Sequence, residues 1–262
     1  MNVIRFIIGA FLDLSKQFRL SYLPPLLVYL AAGISGLTAI VGTFFIKDYL
    51  NLSAAFLAGL GFWAGLPWAL KMPLGHLVDL IWKHKNYMVY FGASIIAASL
   101  LIMHGLIGHT QTMATILPVE TWYVVSVILA PIGFVVQDVV ADAMTVEAVP
   151  KYETDGTAFS EKDIKIMHTT MQTLGRFAII SGSMLVALIN VVLFSGTETL
   201  NEEQRVALYA DVYVYALVIP LVSVLGVFLA KFLSYRTQKA ATLQEQDVPA
   251  SITHERNNTE IN

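Results

Sequence analysis

The sequence predicts an all-α transmembrane protein built as a six-helix bundle. Hydrophobic residues make up 56% of the 262 residues and charged residues only 13%, whereas soluble domains carry roughly 25% charged residues. The mean hydropathy is +0.66, and the apolar residues fall into stretches of about 20, the length that crosses a bilayer core. The chain has no cysteine, which excludes a disulfide framework and a thiolate metal site.

The first segment, residues 1–19, is a poor signal peptide. Arg5 and Asp13 interrupt its apolar run, and no small-residue cleavage site follows. We expect Ile4–Phe18 to form an amphipathic helix in the cytoplasmic interface of the membrane. The alternative is a cytoplasmic extension without fixed structure.

A transmembrane domain, residues 20–232, follows this segment. Its predicted spans, numbered one to six, lie at about 21–46, 53–72, 86–108, 122–148, 170–195 and 208–232. Ser160 and Asp163 form a pattern typical of a capping box, which indicates that the helix of span five begins in the cytoplasm. The remaining residues, 233–262, are polar and lack apolar periodicity, so we expect a disordered cytoplasmic tail.

Spans one and two are rich in glycine, which lets membrane helices approach closely. We therefore expect these two spans to pack against each other through small residues. The glycines are Gly33, Gly36 and Gly42 in span one and Gly59, Gly61 and Gly65 in span two.

The basic residues predict the orientation. With the N-terminus in the cytoplasm, thirteen Lys and Arg residues lie on the cytoplasmic side, and only Lys47 and Arg205 lie on the other. This bias is typical of cytoplasmic loops. It predicts that both termini are cytoplasmic and that the protein resides in a cell membrane, which would be the inner membrane of a Gram-negative cell.

Two acids stand out in span four. Asp138 and Asp142 are four residues apart, so they share one face of a helix. An acid at membrane depth is costly and is by default a functional-site hypothesis. Arg176 of span five is predicted at a similar depth, which makes an Asp142–Arg176 ion pair geometrically plausible.

Three interpretations of these residues stay open. They could form a purely structural ion pair. They could line a transport pathway, with Asp138 binding a proton or a substrate amine and Arg176 receiving a substrate carboxylate. They could hold magnesium and a diphosphate, as in intramembrane prenyltransferases. Such enzymes need a second aspartate-rich helix, and no other D-x-x-x-D lies within a span. We therefore predict no enzyme activity, catalytic residue, metal or cofactor.

The link between spans two and three carries a second motif, Gly75, Asp79 and Lys83. A glycine there allows close helix approach, and an acid at a helix end with cations beyond it forms a charge latch that breaks when helices move. The motif resembles the loop signature of the major facilitator superfamily, G-x-x-x-D-x-x-G-R/K. Trp82 stands in place of the second glycine, and Lys83 in place of the usual arginine.

Neighbouring residues narrow this resemblance. Leu66-Pro67-Trp68, Lys71 and Pro73 before the loop motif, together with the segment from Asp138 to Asp142, resemble the folate–biopterin transporter family over roughly residues 25 to 195. The resemblance implies a twelve-span transporter of two six-span halves that moves folates, pterins or related anions, often with coupling to protons. The six predicted spans resemble the N-terminal half.

The resemblance thus implies transport of a small organic anion, with Asp138, Asp142 and Arg176 binding substrate or protons. Gly75, Asp79 and Lys83 would form the cytoplasmic latch. The expected partners are the anionic substrate, membrane lipid, and either a separate C-terminal six-helix half or a second copy of the chain, but no nucleic acid. A truncated gene product is a further possibility for a six-span half. The alternative functions are a non-transporting membrane scaffold or assembly subunit and the Mg-dependent transferase.

Overall fold

A computed structural model describes residues 17–45, 52–153 and 156–246. Every regular element in these ranges is helical, and only Tyr152 and Ala158 pair there as an isolated bridge. The α-helices are α1 (Leu23–Gly33), α2 (Ala39–Phe45), α3 (Ala54–Ala69), α4 (Lys71–Leu80), α5 (Lys85–Gly108), α6 (Thr110–Ala114), α7 (Val119–Ala148), α8 (Glu161–Phe194), α9 (Glu202–Tyr215) and α10 (Val218–Gln246). Short 3₁₀ turns lie at Leu20–Tyr22, Ile34–Thr38, Trp82–His84 and Thr197–Thr199.

Five helical segments in the described ranges are long and apolar enough to cross a membrane. They are Leu20–Thr43, Trp82–Gly108, Val119–Ala148, Glu161–Thr199 and Glu202–Arg236. The prediction of an all-α membrane protein is confirmed for the part of the chain that the structure describes. These five segments overlap predicted spans one, three, four, five and six.

Span two differs from its prediction. Its helix α3 has 16 residues and ends at Ala69, which gives a length of about 24 Å. The backbone turns at Leu70, and α4 continues from Lys71. Pro73 explains the break, because it lacks the N–H group that would bond to the carbonyl of Ala69. The predicted continuous span 53–72 is therefore a helix pair with a bend before Lys71.

Two predictions concern the ends of the chain, the amphipathic segment 1–19 and the disordered tail 233–262. Residues 1–16 of the predicted amphipathic segment, and residues 247–262 of the predicted tail, lie outside the described residues. Between them, α10 continues to Gln246, past the predicted boundary at 232. Residues 237–246 are mostly Ala, Leu, Gln, Lys and Glu, which favour helix even where nothing apolar repeats.

The chain divides into two compact units, Met1–Val227 and Phe228–Asn262. The described part of the second unit is the C-terminal part of α10. Within it, the guanidinium carbon of Arg236 lies 5.5 Å from the centroid of the Phe232 ring, a stacking geometry that an arginine on a helix surface commonly adopts.

The main helix pairs of the first unit follow a symmetric pattern. Span one packs on span five through α1 and α8, and span two packs on span four through α3, α4 and α7. Span three packs on spans four and six, and span one also packs on span four. Exchanging spans one to three for spans four to six converts the one–five pair into the four–two pair and the three–four pair into a six–one pair, and it preserves the three–six and one–four pairs. The six–one pair is present as well, since a Cβ atom added on Gly226 would lie 2.7 Å from the Pro24 backbone oxygen. Two repeats of three spans, which face opposite ways because three is odd, produce such a pattern.

The α1–α8 crossing is very close. A Cβ atom on Gly33 would lie 2.4 Å from the backbone oxygen of Ile179, and one on Gly182 would lie 2.9 Å from the backbone of Gly33. Gly36 and Gly42 also face spans five and six, toward Val186 and Tyr213. Small residues at such crossings allow backbone-to-backbone packing in a membrane.

The predicted glycine contact between spans one and two is wrong. A Cβ atom added at any of the three span-two glycines would meet no described atom within 4 Å. These glycines are Gly59, Gly61 and Gly65. Glycine spacing marks a face that permits close approach, but it does not specify which helix fills that face.

The start of α8 agrees with its prediction. Ser160 is the N-cap, and its hydroxyl oxygen accepts a hydrogen bond from the Asp163 N–H at 3.2 Å. The hydroxyl also donates to the Asp163 carboxylate at 2.6 Å. The helix of span five therefore begins nine residues before the predicted apolar stretch starts at 170, as the capping pattern indicated.

Candidate functional site

The two acids of α7 bind the same cation. The Lys71 ammonium nitrogen lies 2.5 Å from Asp138 Oδ2 and 3.0 Å from Asp142 Oδ2. Lys71 is the first residue of α4, so the bend at Leu70 places it against α7. Two carboxylates share one ammonium, which leaves one formal negative charge in excess. We call Lys71, Asp138, Asp142 and Tyr29 the polar cluster.

Tyr29 completes this cluster from α1. Its hydroxyl donates a hydrogen bond to Asp142 Oδ1 at 2.5 Å. The Tyr29 ring packs against Gly175 of α8, where an added Cβ would come within 2.8 Å of the ring. The polar cluster therefore joins spans one, two and four, and Gly175 of span five makes room for it.

The members of the cluster differ in exposure. The Asp138 side chain is 12% exposed, whereas Asp142 is 49% exposed and Lys71 39% exposed. One side of the cluster is thus packed in the bundle and the other side is accessible. Charges within an apolar bundle are stable where they face one another, water or another protein surface, and costly where they face lipid.

Gln137 holds α7 through contacts with two other helices. This buried amide donates hydrogen bonds to the Val89 carbonyl of α5 at 3.1 Å and to the Ser223 hydroxyl of α10 at 2.8 Å. A buried amide with satisfied donors fixes the rotation of its helix. The neighbouring Asp138 is therefore directed away from α5 and α10, toward Lys71.

The predicted Asp142–Arg176 ion pair is wrong. Arg176 is exposed on α8, and its guanidinium is not within 4 Å of the Asp142 carboxylate, whose two oxygens are taken by Tyr29 and Lys71. Depth along the spans made the pair plausible, but depth alone does not specify which residues face each other across two helices. Arg176 directly follows Gly175, which contacts Tyr29, so it remains an accessible cation near the polar cluster.

The predicted latch is not formed by the residues named for it. Gly75 has no described atom within 4 Å of an added Cβ, so no helix approaches closely there. Asp79 and Lys83 are both exposed and do not form an ion pair with each other.

An ion pair two residues further on joins α5 to α7. Lys85 is only 7% exposed, its ammonium lies 2.5 Å from Glu147 Oε1, and it lies 4.2 Å from the centroid of the Trp82 ring. This ion pair therefore joins spans three and four.

Lys85→Ala is expected to destabilise the protein by about 1.5 kcal/mol, because it leaves the partly exposed Glu147 unpaired and removes the contact with Trp82. Unfolding by denaturant in detergent micelles measures this. Lys83→Ala is the matched control, with an expected change of no more than about 0.5 kcal/mol for an exposed side chain. A larger loss of stability for Lys83→Ala than for Lys85→Ala would contradict the stabilising role of the Lys85–Glu147 pair and would favour the latch predicted with Lys83.

The sequence reasoning missed Tyr29 and Gln137 and gave Lys71 no role of its own. Lys71 had a detectable signal, since it is a cation at the edge of an apolar stretch that also contains two prolines. Gln137 also had one, as a polar residue next to an intramembrane acid. Tyr29 had none, because a tyrosine in an apolar span commonly packs without a polar role. Comparison of the chain with protein-family models, with curated proteins and with solved structures finds no match.

Proposed function

We propose that this chain transports a small organic anion, of the folate or pterin class, as one six-helix half of a major facilitator-type transporter. The observation that carries the proposal is the Lys71 ammonium held between Asp138 and Asp142 on an accessible side of an apolar bundle. A purely structural pair would more readily be enclosed on all sides, because each exposed charge at membrane depth needs water or a polar partner.

The cluster is suited to proton coupling. Protonation of Asp138 or Asp142 removes part of the attraction that holds Lys71, and Lys71 links span two to span four. These spans belong to different three-span repeats in the symmetric pairing pattern. Loosening one repeat from the other is the kind of movement that alternating access requires.

Arg176 supplies the positive charge for the substrate in this proposal. The cluster itself carries one excess negative charge, so it does not attract an anion. The Arg176 guanidinium is exposed, and its planar donors match a carboxylate in a bidentate geometry. A second six-helix half would cover the accessible side of the cluster and complete the substrate site.

The proposal predicts a specific loss in Asp138→Asn. Membrane vesicles from cells expressing the chain are expected to accumulate radiolabelled folate or pterin under an inward proton gradient. Asp138→Asn is expected to reduce this uptake at least about tenfold, since about 1.4 kcal/mol of lost coupling is already a factor of ten. Exchange of internal for external substrate without a gradient is expected to persist, because it needs no net proton movement.

Glu161→Gln is the control, since Glu161 is exposed in the first turn of α8 and outside the cluster. Arg176→Gln is expected to weaken substrate affinity while leaving the proton dependence in place. Uptake no faster than in vesicles lacking the chain, for every folate and pterin tested, would contradict the transport proposal and favour a scaffold or assembly subunit.

A further inference from the structure

A second candidate site lies where α8 ends and α9 begins. A cleft of about 800 Å³ separates α2, α8 and the start of α9. Its floor along α8 is mostly apolar, formed by Val186, Ala187, Val191 and Phe194, and Tyr209 of α9 closes one side. The polar cluster contacts α8 at Gly175, eight residues before Ser183, and none of its four residues lines the cleft, so the cleft does not belong to the transport site.

Two polar atoms in this cleft are buried without hydrogen-bond partners among the described residues. They are the side-chain oxygen of Asn190, a residue only 6% exposed, and Nε of Arg205. Among the described residues, the Arg205 guanidinium donates a single hydrogen bond, from a terminal NH₂ group to the Leu200 carbonyl at 3.4 Å. Buried polar groups are nearly always paired in folded proteins, so the cleft offers one acceptor and one charged donor to a ligand.

The cleft also carries a negative charge. Glu198 lines it and is exposed, and it is not within ion-pair distance of Arg205. The charges are therefore complementary to a ligand that has an anionic group to bind Arg205 and a cationic N–H donor to bind Asn190 and Glu198. The apolar floor is complementary to a hydrocarbon chain.

The position of the cleft suits a membrane lipid. Asn190 is four residues from the end of α8, about 6 Å, and Ser183 is eleven residues from it, about 16 Å. With the end of α8 taken as the membrane surface, the polar atoms lie at the depth of lipid head groups and the apolar floor lies at the depth of acyl chains. On the same helix, Leu188, Val191 and Val192 are each at least 66% exposed, as expected of a surface in contact with lipid.

We propose that this cleft binds a phospholipid with an aminoethyl phosphate head group. The phosphate accepts hydrogen bonds from the Arg205 guanidinium, and the primary ammonium donates to Asn190 Oδ1 and faces Glu198. One acyl chain lies along α8. A quaternary choline head group has no N–H to donate to Asn190, and a glycerol head group brings no cation to Glu198, so both bind more weakly.

Native mass spectrometry of the detergent-purified chain with equimolar phosphatidylethanolamine, phosphatidylcholine and phosphatidylglycerol tests the proposal. The ethanolamine lipid is expected to be retained at least fivefold more than either of the others. Arg205→Gln is expected to reduce the retention of all three lipids, because it removes the partner of the phosphate that they share. Glu198→Gln is expected to abolish the preference for the ethanolamine lipid. Arg236→Gln, which removes an arginine of the second unit, is expected to leave both retention and preference unchanged.

Asn190→Leu separates lipid binding from folding. Without lipid its melting temperature is expected to rise, because a buried acceptor without a partner is replaced by an apolar side chain of similar size. Added phosphatidylethanolamine is expected to raise the melting temperature of the unaltered chain but not that of Asn190→Leu. Equal retention of the three lipids, a retention unchanged by Arg205→Gln, or a preference that survives Glu198→Gln would overturn the assignment. A preference for phosphatidylglycerol would overturn the amine requirement. None of these readouts depends on transport, so the inference and the proposed function fail separately.

Discussion

Gly33→Ala is expected to destabilise the bundle by about 3 kcal/mol, the upper part of the range for overpacking a tight contact. The added Cβ would lie 2.4 Å from the Ile179 backbone oxygen. A flexible side chain could move aside, but a backbone oxygen of α8 moves only if the two helices separate. Separation would also disturb the reciprocal contact at Gly182. Denaturant titration in mixed micelles, followed by helical circular dichroism, measures the change.

Gly61→Ala is the matched control, because an added Cβ there meets no described atom within 4 Å. Its expected effect lies between none and a stabilisation of up to about 1 kcal/mol, since alanine favours helix over glycine by that amount. The sequence-based pairing of spans one and two requires the two substitutions to be similarly harmful. Similar losses in both variants would therefore mean that the α1–α8 crossing is misplaced.

Lys71→Met is expected to cost about 2 kcal/mol of stability. The change removes the ammonium between Asp138 and Asp142 and leaves two carboxylates close together on one helix face. Breaking a fully buried ion pair costs roughly 3–5 kcal/mol, and the partial exposure of Lys71 and Asp142 reduces this because water screens the remaining charges. The same micelle titration measures the loss.

A second substitution tests the cause of that loss. Asp138→Asn in the Lys71→Met background is expected to recover at least half of the stability, because it removes one of the two unpaired charges and Asp138 is the less exposed acid. Arg176→Ala serves as the control cation. Its cost is expected to be the same with Asp142 or Asn at position 142, since the two side chains do not pair. If Asp138→Asn recovers no stability in the Lys71→Met background, and Arg176→Ala costs less stability with Asn at position 142 than with Asp142, then Arg176 rather than Lys71 is the partner of Asp142.

The transmembrane segments were predictable because the bilayer dictates their length and composition. A stretch such as Val119–Ala148 needs no knowledge of its neighbours to be identified, since an apolar run of that length is stable only as a membrane helix. The start of α8 at Ser160 was predictable for a local reason, because a hydroxyl satisfies free N–H groups three residues away. The bend in span two was not predicted, although Pro73 was visible.

The candidate site was also predictable only in its local features. The sequence by itself determined that Asp138 and Asp142 lie on one face of a membrane helix, because the helical period and the cost of a buried charge are local properties. Only the tertiary structure decided that Lys71, rather than Arg176, is their partner and that Gly33 meets Gly182. Those contacts depend on the rotation of each helix and on which helices adjoin. Rotation is fixed by distant hydrogen bonds such as those of Gln137 to Val89 and Ser223, and no local pattern encodes them.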